Sequence, residues 1–319
     1  MFKKMMAKLG FGSARVDLVL RNSEFILGDT VEGELVIQGG AVEQYIKKID
    51  VQFMMAIRTK QNEYRQAIAT IPFACNFNIG AEERKVFPFR YELPKDLLIS
   101  SHTVAYYFVT NLDIAAGVDN QDRDYIRVNP PQRFQNIIAA FEQLGFREKH
   151  DSRKFNGYAQ EFEFFPTTFL RDRVKEVEFI AAIEEEQIRL LLELDLPSFG
   201  HEVEIKHEVA LSNELLADPA SVADYLRGVM EEMVDNPHAY LHQRSMMEHD
   251  HHHHRHGGFA GAMGGFAAGL LGGMILSEIM DEVMDGVGGG DAIESAFDGG
   301  DDGGGFGDFF GDMFDGGDE

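Results

Sequence analysis

Six histidines fall within the eight residues HDHHHHRH, 249–256: His249, His251, His252, His253, His254 and His256. Neutral imidazoles are good ligands for Zn²⁺, Ni²⁺ and Cu²⁺, so this run predicts metal capture in solution. Ligands so close together on one stretch impose no fixed geometry and little selectivity. The plainer role is a polar, pH-sensitive hinge between body and tail. No resident cofactor is expected, and a Zn²⁺ or Ni²⁺ ion held there would be adventitious.

The next stretch could do physical rather than covalent work. Residues 257–277, GGFAGAMGGFAAGLLGGMILS, carry no charge, a length able to span a bilayer. Gly261, Gly265, Gly269 and Gly273 recur every fourth residue. On a helix they form one smooth ridge that lets two backbones approach closely. Six residues in it (Phe259, Phe266, Leu270, Leu271, Ile275 and Leu276) favour insertion, and together they promote it only marginally. Flexible linker, self-association and membrane contact all remain open on these residues.

Elsewhere the signatures of catalysis are absent. There is no G-x-S-x-G, no phosphate-binding glycine loop, no dinucleotide fingerprint, no cysteine pair and no H-E-x-x-H, so no enzymatic activity is expected. Cys75, the single cysteine, shares one face of an alternating run with Phe73, Phe77 and Ile79 and reads as an inert core residue. His102 reads as a strand-entry residue. His201 and His207 belong to the alternating run HEVEIKHEV, where His207 shares a face with Val203, Ile205 and Val209. Glu184-Glu185-Glu186 reads as a solvated turn.

The elements that must carry these residues are mostly strands. Period-two runs recur through the first 130 residues: Val16 to Leu20, Val31 to Ile37, Ile49 to Ile57, Phe73 to Ile79, Phe87 to Tyr91, Val104 to Leu112 and Asp124 to Val128. Gly39-Gly40, Gly80, Leu93-Pro94 and Asp119-Asn120 punctuate them. Many short alternating strands predict a β-sandwich. Asn129-Pro130-Pro131 marks a domain boundary. Ile137, Ile138, Phe141 and Leu144 then follow helical spacing, stopped by Gly145. Four further strand patterns, in 158–166, 177–183, 188–196 and 203–209, predict a smaller second sandwich over 130–212. Asp218-Pro219 is a helix start, with Val222, Tyr225, Leu226, Val229, Met230 and Met233 on one face, expected to pack on the second domain, and Asn236-Pro237 as the stop.

Charge bounds the partners. The chain of 319 residues carries a formal net charge of −25, which disfavours a nucleic-acid backbone. Residues 1–256 hold 40 acidic against 29 basic residues, while 257–319 hold 14 acidic residues, none basic, and 21 of the 33 glycines. That tail is expected to be disordered. One cysteine permits no disulfide within the chain, in keeping with a reducing, cytoplasmic setting. At the N-terminus, Phe2, Met5, Met6 and Leu9 make an apolar helical stripe beside Lys3, Lys4 and Lys8, and no secretory leader is expected.

A resemblance rests on particular segments. FILGDTVEGELVIQGG, residues 25–40, places the Gly28-Asp29 turn before a strand containing Gly33. Phe87, Phe89, Leu93 and Pro94 precede a long aromatic strand. This pattern resembles the arrestin-like N-terminal domain. MFKKMMAKLGFGSARVD, Ile37-Gln38-Gly39-Gly40 and Gln160-Glu161-Phe162-Glu163-Phe164 are more closely similar to the bacterial sporulation-control (SpoOM-type) family, over about residues 1–245.

The resemblance implies two arrestin-like β-sandwich domains in tandem; with the boundaries read from the residues these are 1–129 and 130–212, followed by a C-terminal amphipathic helix (213–247), the His hinge (248–256) and the Gly/Asp-rich tail (257–319). It implies a cytoplasmic, regulatory, non-enzymatic protein that acts on protein partners, and it carries no residue-level active site. No Pro-Pro-x-Tyr motif is present. The competing class is a membrane-associated or self-assembling structural protein driven by 257–277.

Overall fold

Alternation of buried and exposed side chains builds the first half of the chain. A computed structural model describes residues 12–58, 63–115, 118–156, 159–197 and 202–241. The His run, the four ridge glycines, the N-terminal stripe, His201, the tail and the side chain of Cys75 lie outside the described residues.

The strands of the first domain are β1 (Arg15–Leu20), β2 (Glu24–Ile26), β3 (Thr30–Gln38), β4 (Gln44–Arg58), β5 (Glu63–Ile79), β6 (Arg84–Glu92), β7 (Val104–Ile114) and β8 (Asn120–Asn129). They form a three-stranded sheet, β1-β3-β6, and a five-stranded sheet, β2-β8-β7-β4-β5. The inward residues of β3 are Val31, Gly33, Leu35 and Ile37; those of β4 include Ile49, Val51, Phe53, Met55 and Ile57, all buried. Aromatic rings join the two sheets. Phe53 stacks on Phe108 at 4.9 Å, and Phe89 and Tyr91 meet Phe108 edge-on at 5.4 and 5.9 Å. Gly33 is small because β1 crosses over it: a Cβ there would lie 2.5 Å from the Val19 carbonyl oxygen.

The second half is built differently from the sandwich expected over 130–212. Helix α1 (Gln132–Gln143) leads to β9 (Phe146–Glu148), β10 (Lys154–Phe155), β11 (Gln160–Pro166), β12 (Glu176–Ile183), β13 (Gln187–Pro197) and β14 (Glu202–Ser212). These six strands make one sheet, β10-β11-β12-β13-β14, with β9 also paired to β11. A second layer is supplied by helices, not by a second sheet. In α1, Phe141 stacks on Phe164 and Phe179 at 4.9 and 5.3 Å, and Phe134 lies 5.0 Å from Phe162. One helix presenting two buried rings covers the apolar face that a facing sheet would otherwise cover.

The C-terminal helices pack on this domain, as expected for the first of them. A 3₁₀ turn (Leu215–Ala217), α2 (Pro219–Asp235) and α3 (Pro237–Leu241) complete it. Asp218 caps α2 by accepting from the Ser221 amide at 2.9 Å, with Pro219 in the first turn. Val222, Leu226, Met230 and Met233 are buried, whereas Tyr225, expected on the same face, lies at its margin and is 44% exposed. Asn136 of α1 donates to the Leu216 carbonyl at 2.8 Å, and Arg173 pairs with Asp235. The fold is thus mostly β, in three sheets, rather than all-β in two sandwiches.

One buried side chain joins the domains. Gln160 is fully buried; its Oε1 accepts from Ile99 N at 2.7 Å, and its Nε2 donates to Ile99 O at 2.8 Å and Arg153 O at 2.9 Å.

Candidate functional site

The open side of the first domain is where β1 and β8, the facing edges of the two sheets, come together. Arg21 N donates to Glu32 O, so the odd residues of β1 turn toward β3. Residues 16, 18 and 20 therefore present their backbone groups to the free edge. β8 is paired to β7 along one side, while β2 covers only its residues 127–129 on the other.

Side chains of β8 bridge the gap where no strand does. Asn120 Oδ1 accepts from Val16 N and Asp122 Oδ2 accepts from Leu18 N, each at 2.9 Å. Two residues further along each strand the same geometry would bring Asp124 to Leu20. That rung is not made, and Asp124 Oδ2 is buried with no hydrogen-bond partner. Here the edges part, leaving an open groove of about 840 Å³ along residues 17–24, with Asp124 and Tyr125 on its far wall.

The groove has a strongly acidic corner. Carboxylate oxygens of Asp17, Asp122 and Asp124 lie within 4.8 Å of one another. Burial, the Asp122 charge, a hydrogen bond to the Asp122 side chain and the Asp17 charge together push Asp124 up to about 8. Asp17 is raised too, by burial and then by Asp122.

A second charged surface lies on the sheet of the second domain, opposite α1. Glu163, Glu178, Glu193 and Lys206 stand side by side in register across four strands. Burial first, then neighbouring carboxylates, raises Glu178 to about 9. Burial likewise raises Glu193 to about 8, against the pull of Lys206. Lys149 pairs with Glu163 and Glu176, Lys154 with Glu163 and Lys206 with Glu193. This face is an internally compensated polar lattice.

The candidate histidines are scattered. His102 is exposed at the domain joint, 6.4 Å between ring centroids from His150. His207 packs edge-on against Tyr240 of α3 at 5.1 Å, on the helix-covered side of β14, with Nδ1 buried and without a hydrogen-bond partner. Glu184, Glu185 and Glu186 form the β12–β13 turn, where Arg133 donates to the Glu184 and Glu185 carbonyls. No described residue brings these groups into one catalytic constellation. Among the described residues, no helix is long and apolar enough to cross a membrane.

The residues of the groove had a signal in the sequence. Asn120, Asp122 and Asp124 continue the inward face of Ile126 and Val128, so polar residues occupy positions that alternation assigns to the core. Such residues must find partners, and β1 supplies them.

Comparison with known proteins agrees with this architecture. A family model described as SpoOM protein matches residues 2–197. The sporulation-control protein spo0M of Bacillus subtilis (strain 168) is 33% identical over 211 residues, covering 62% of this chain and 82% of that protein. The crystal structure of Spo0M from Bacillus subtilis matches with a TM-score of 0.57 and 30% identity, over 71% of this chain and 99% of that one. With its N-terminal sandwich, its joint at Gln160 and a match running through both domains, the chain belongs to the SpoOM protein family.

Proposed function

We propose that this protein is a non-enzymatic regulatory scaffold that binds an extended segment of a protein partner along the free edge of β1. One observation carries the reading. β1 offers outward-facing backbone groups, its first two edge amides are already held by β8 side chains, and the edge beyond them opens into a groove long enough for a short strand. An unpaired sheet edge is a template for strand addition. The relative's name ties it to sporulation control; the reading carries over a regulatory role in the cytoplasm and leaves the pathway unassigned.

Leu20→Pro in the full-length protein tests this. The Leu20 amide faces the groove, so proline removes an edge donor without removing a β1–β3 ladder bond. A photo-crosslinker at Asn22 should capture a partner in cells, and Leu20→Pro should abolish capture. Capture no different from that at Tyr225, an exposed residue on α2, would refute the reading.

A further inference from the structure

Three acidic clusters occur among the described residues: Asp17/Asp122/Asp124, Glu163/Glu176/Glu178 and Glu193/Asp195/Glu204. They are not equivalent. The second is threaded by Lys149 and Lys154 and the third by Lys206, so positive charge is already built into both. Among the described residues, no lysine or arginine makes an ion pair with any carboxylate of the first.

Beside the first cluster lies an orphaned donor–acceptor. Thr110 of β7 is the cross-strand partner of Asp122 and lies on the same inward face, between Phe108 and Leu112. It is fully buried, and its Oγ1 has no hydrogen-bond partner. Cross-strand neighbours sit about 5 Å apart at Cβ, so Thr110 adjoins Asp122 across the β7–β8 pair. A buried hydroxyl without a partner is costly, and so are three carboxylates gathered without a cation.

The oxygen spacing fits a specific occupant. Hard divalent cations take oxygen ligands, Ca²⁺ at about 2.4 Å, so ligand oxygens around it lie no more than about 4.8 Å apart. The three carboxylates fall within that limit, as do those of the other two clusters; what sets this one apart is that no lysine or arginine among the described residues is built into it. We infer that Asp17, Asp122 and Asp124, with Thr110 behind them, form a Ca²⁺-class divalent cation site that supplies the missing third rung between β1 and β8. The site stands on these side chains alone and does not depend on what the groove binds.

Thermal unfolding of the full-length protein by far-UV circular dichroism, with and without Ca²⁺, tests the inference. Ca²⁺ in about tenfold excess over its dissociation constant should raise Tm by about 2–4 °C. Asp124→Asn should fold, be at least as stable without Ca²⁺, and lose the shift. Thr110→Val, which keeps the side-chain volume, should weaken the response. Asp113→Asn, at an exposed carboxylate paired with Lys47, should retain it in full. No shift in the wild type at about 10 mM Ca²⁺, roughly tenfold above the dissociation constant of the weakest extracellular sites, would overturn the inference. An equal shift in Asp124→Asn would also overturn it, by assigning the effect to the acidic tail or to bulk screening.

Discussion

Gln160→Ala should be the most damaging single substitution of a polar side chain in this protein. Gln160 is fully buried at the joint, and its amide serves three backbone groups at 2.7–2.9 Å: both polar groups of Ile99 and the Arg153 carbonyl. Ile99 is itself 1% exposed, so water does not simply replace the lost partner. Each buried group left unsatisfied costs about 1–3 kcal/mol. Allowing for partial relaxation, the three together amount to about 3–5 kcal/mol. Urea unfolding followed by circular dichroism measures the loss, and peptide-level hydrogen exchange over residues 97–101 locates it. Gln160→Glu sharpens the reasoning. An ionised glutamate still accepts from Ile99 N but presents oxygen to two carbonyls; a protonated one regains a single donor. Its defect should therefore be smaller at pH 5 than at pH 8. A loss of about 0.5 kcal/mol or less in Gln160→Ala, the range of a surface change, would refute the account of the joint.

Stability should fall as pH rises from about 5 to 9. The folded state holds protons on Glu178 and Glu193 up to about 9 and 8, whereas an unfolded chain releases them near pH 4–5. Excess protons bound by the native state mean a negative slope in that window. Glu178→Gln should flatten it, as read from urea midpoints at pH 6 and 9. Gly33→Ala should cost about 1–3 kcal/mol by overpacking, because its Cβ would press on the β1 backbone at Val19 and Leu20; an unchanged Tm would exclude that contact. Phe141→Ala should cost about 3–5 kcal/mol, since its ring is fully buried against Phe146, Phe164 and Phe179. A chain ending at Met247 should remain in the soluble fraction and keep its partners if the groove governs function; loss of both would shift the function to 257–277.

The legible parts of the fold were those where one local rule suffices. Strand β3 was readable because Val31, Gly33, Leu35 and Ile37 alternate with polar residues and all turn inward. Helix α2 was readable because Asp218 and Pro219 form a cap and first turn that need no tertiary partner. The first half of β5 was not. It is an edge strand, part-buried along its length, and Pro72 sits within it opposite Asp50, next to a register shift; an edge lets polar and apolar residues mix. Strands β9 and β10 were missed because three and two residues are too short to show a period.

Amphipathic residues at period two or 3.6 told, from the sequence alone, which segments bury a face. They could not tell what covers it. In the second domain, Phe162, Phe164 and Phe179 demanded a lid, and a helix carrying Phe134 and Phe141 satisfies that demand as well as a second sheet would. Burial is non-directional, so the choice between sandwich and sheet-plus-helix layer rested on which element packs back. The groove was decided in the same way. Asn120, Asp122 and Asp124 were visible as polar residues on an inward face, but only tertiary structure places β1 within 2.9 Å of two of them and leaves the third without its rung. Partners separated by 104 residues are joined by hydrogen-bond geometry, which no local pattern encodes.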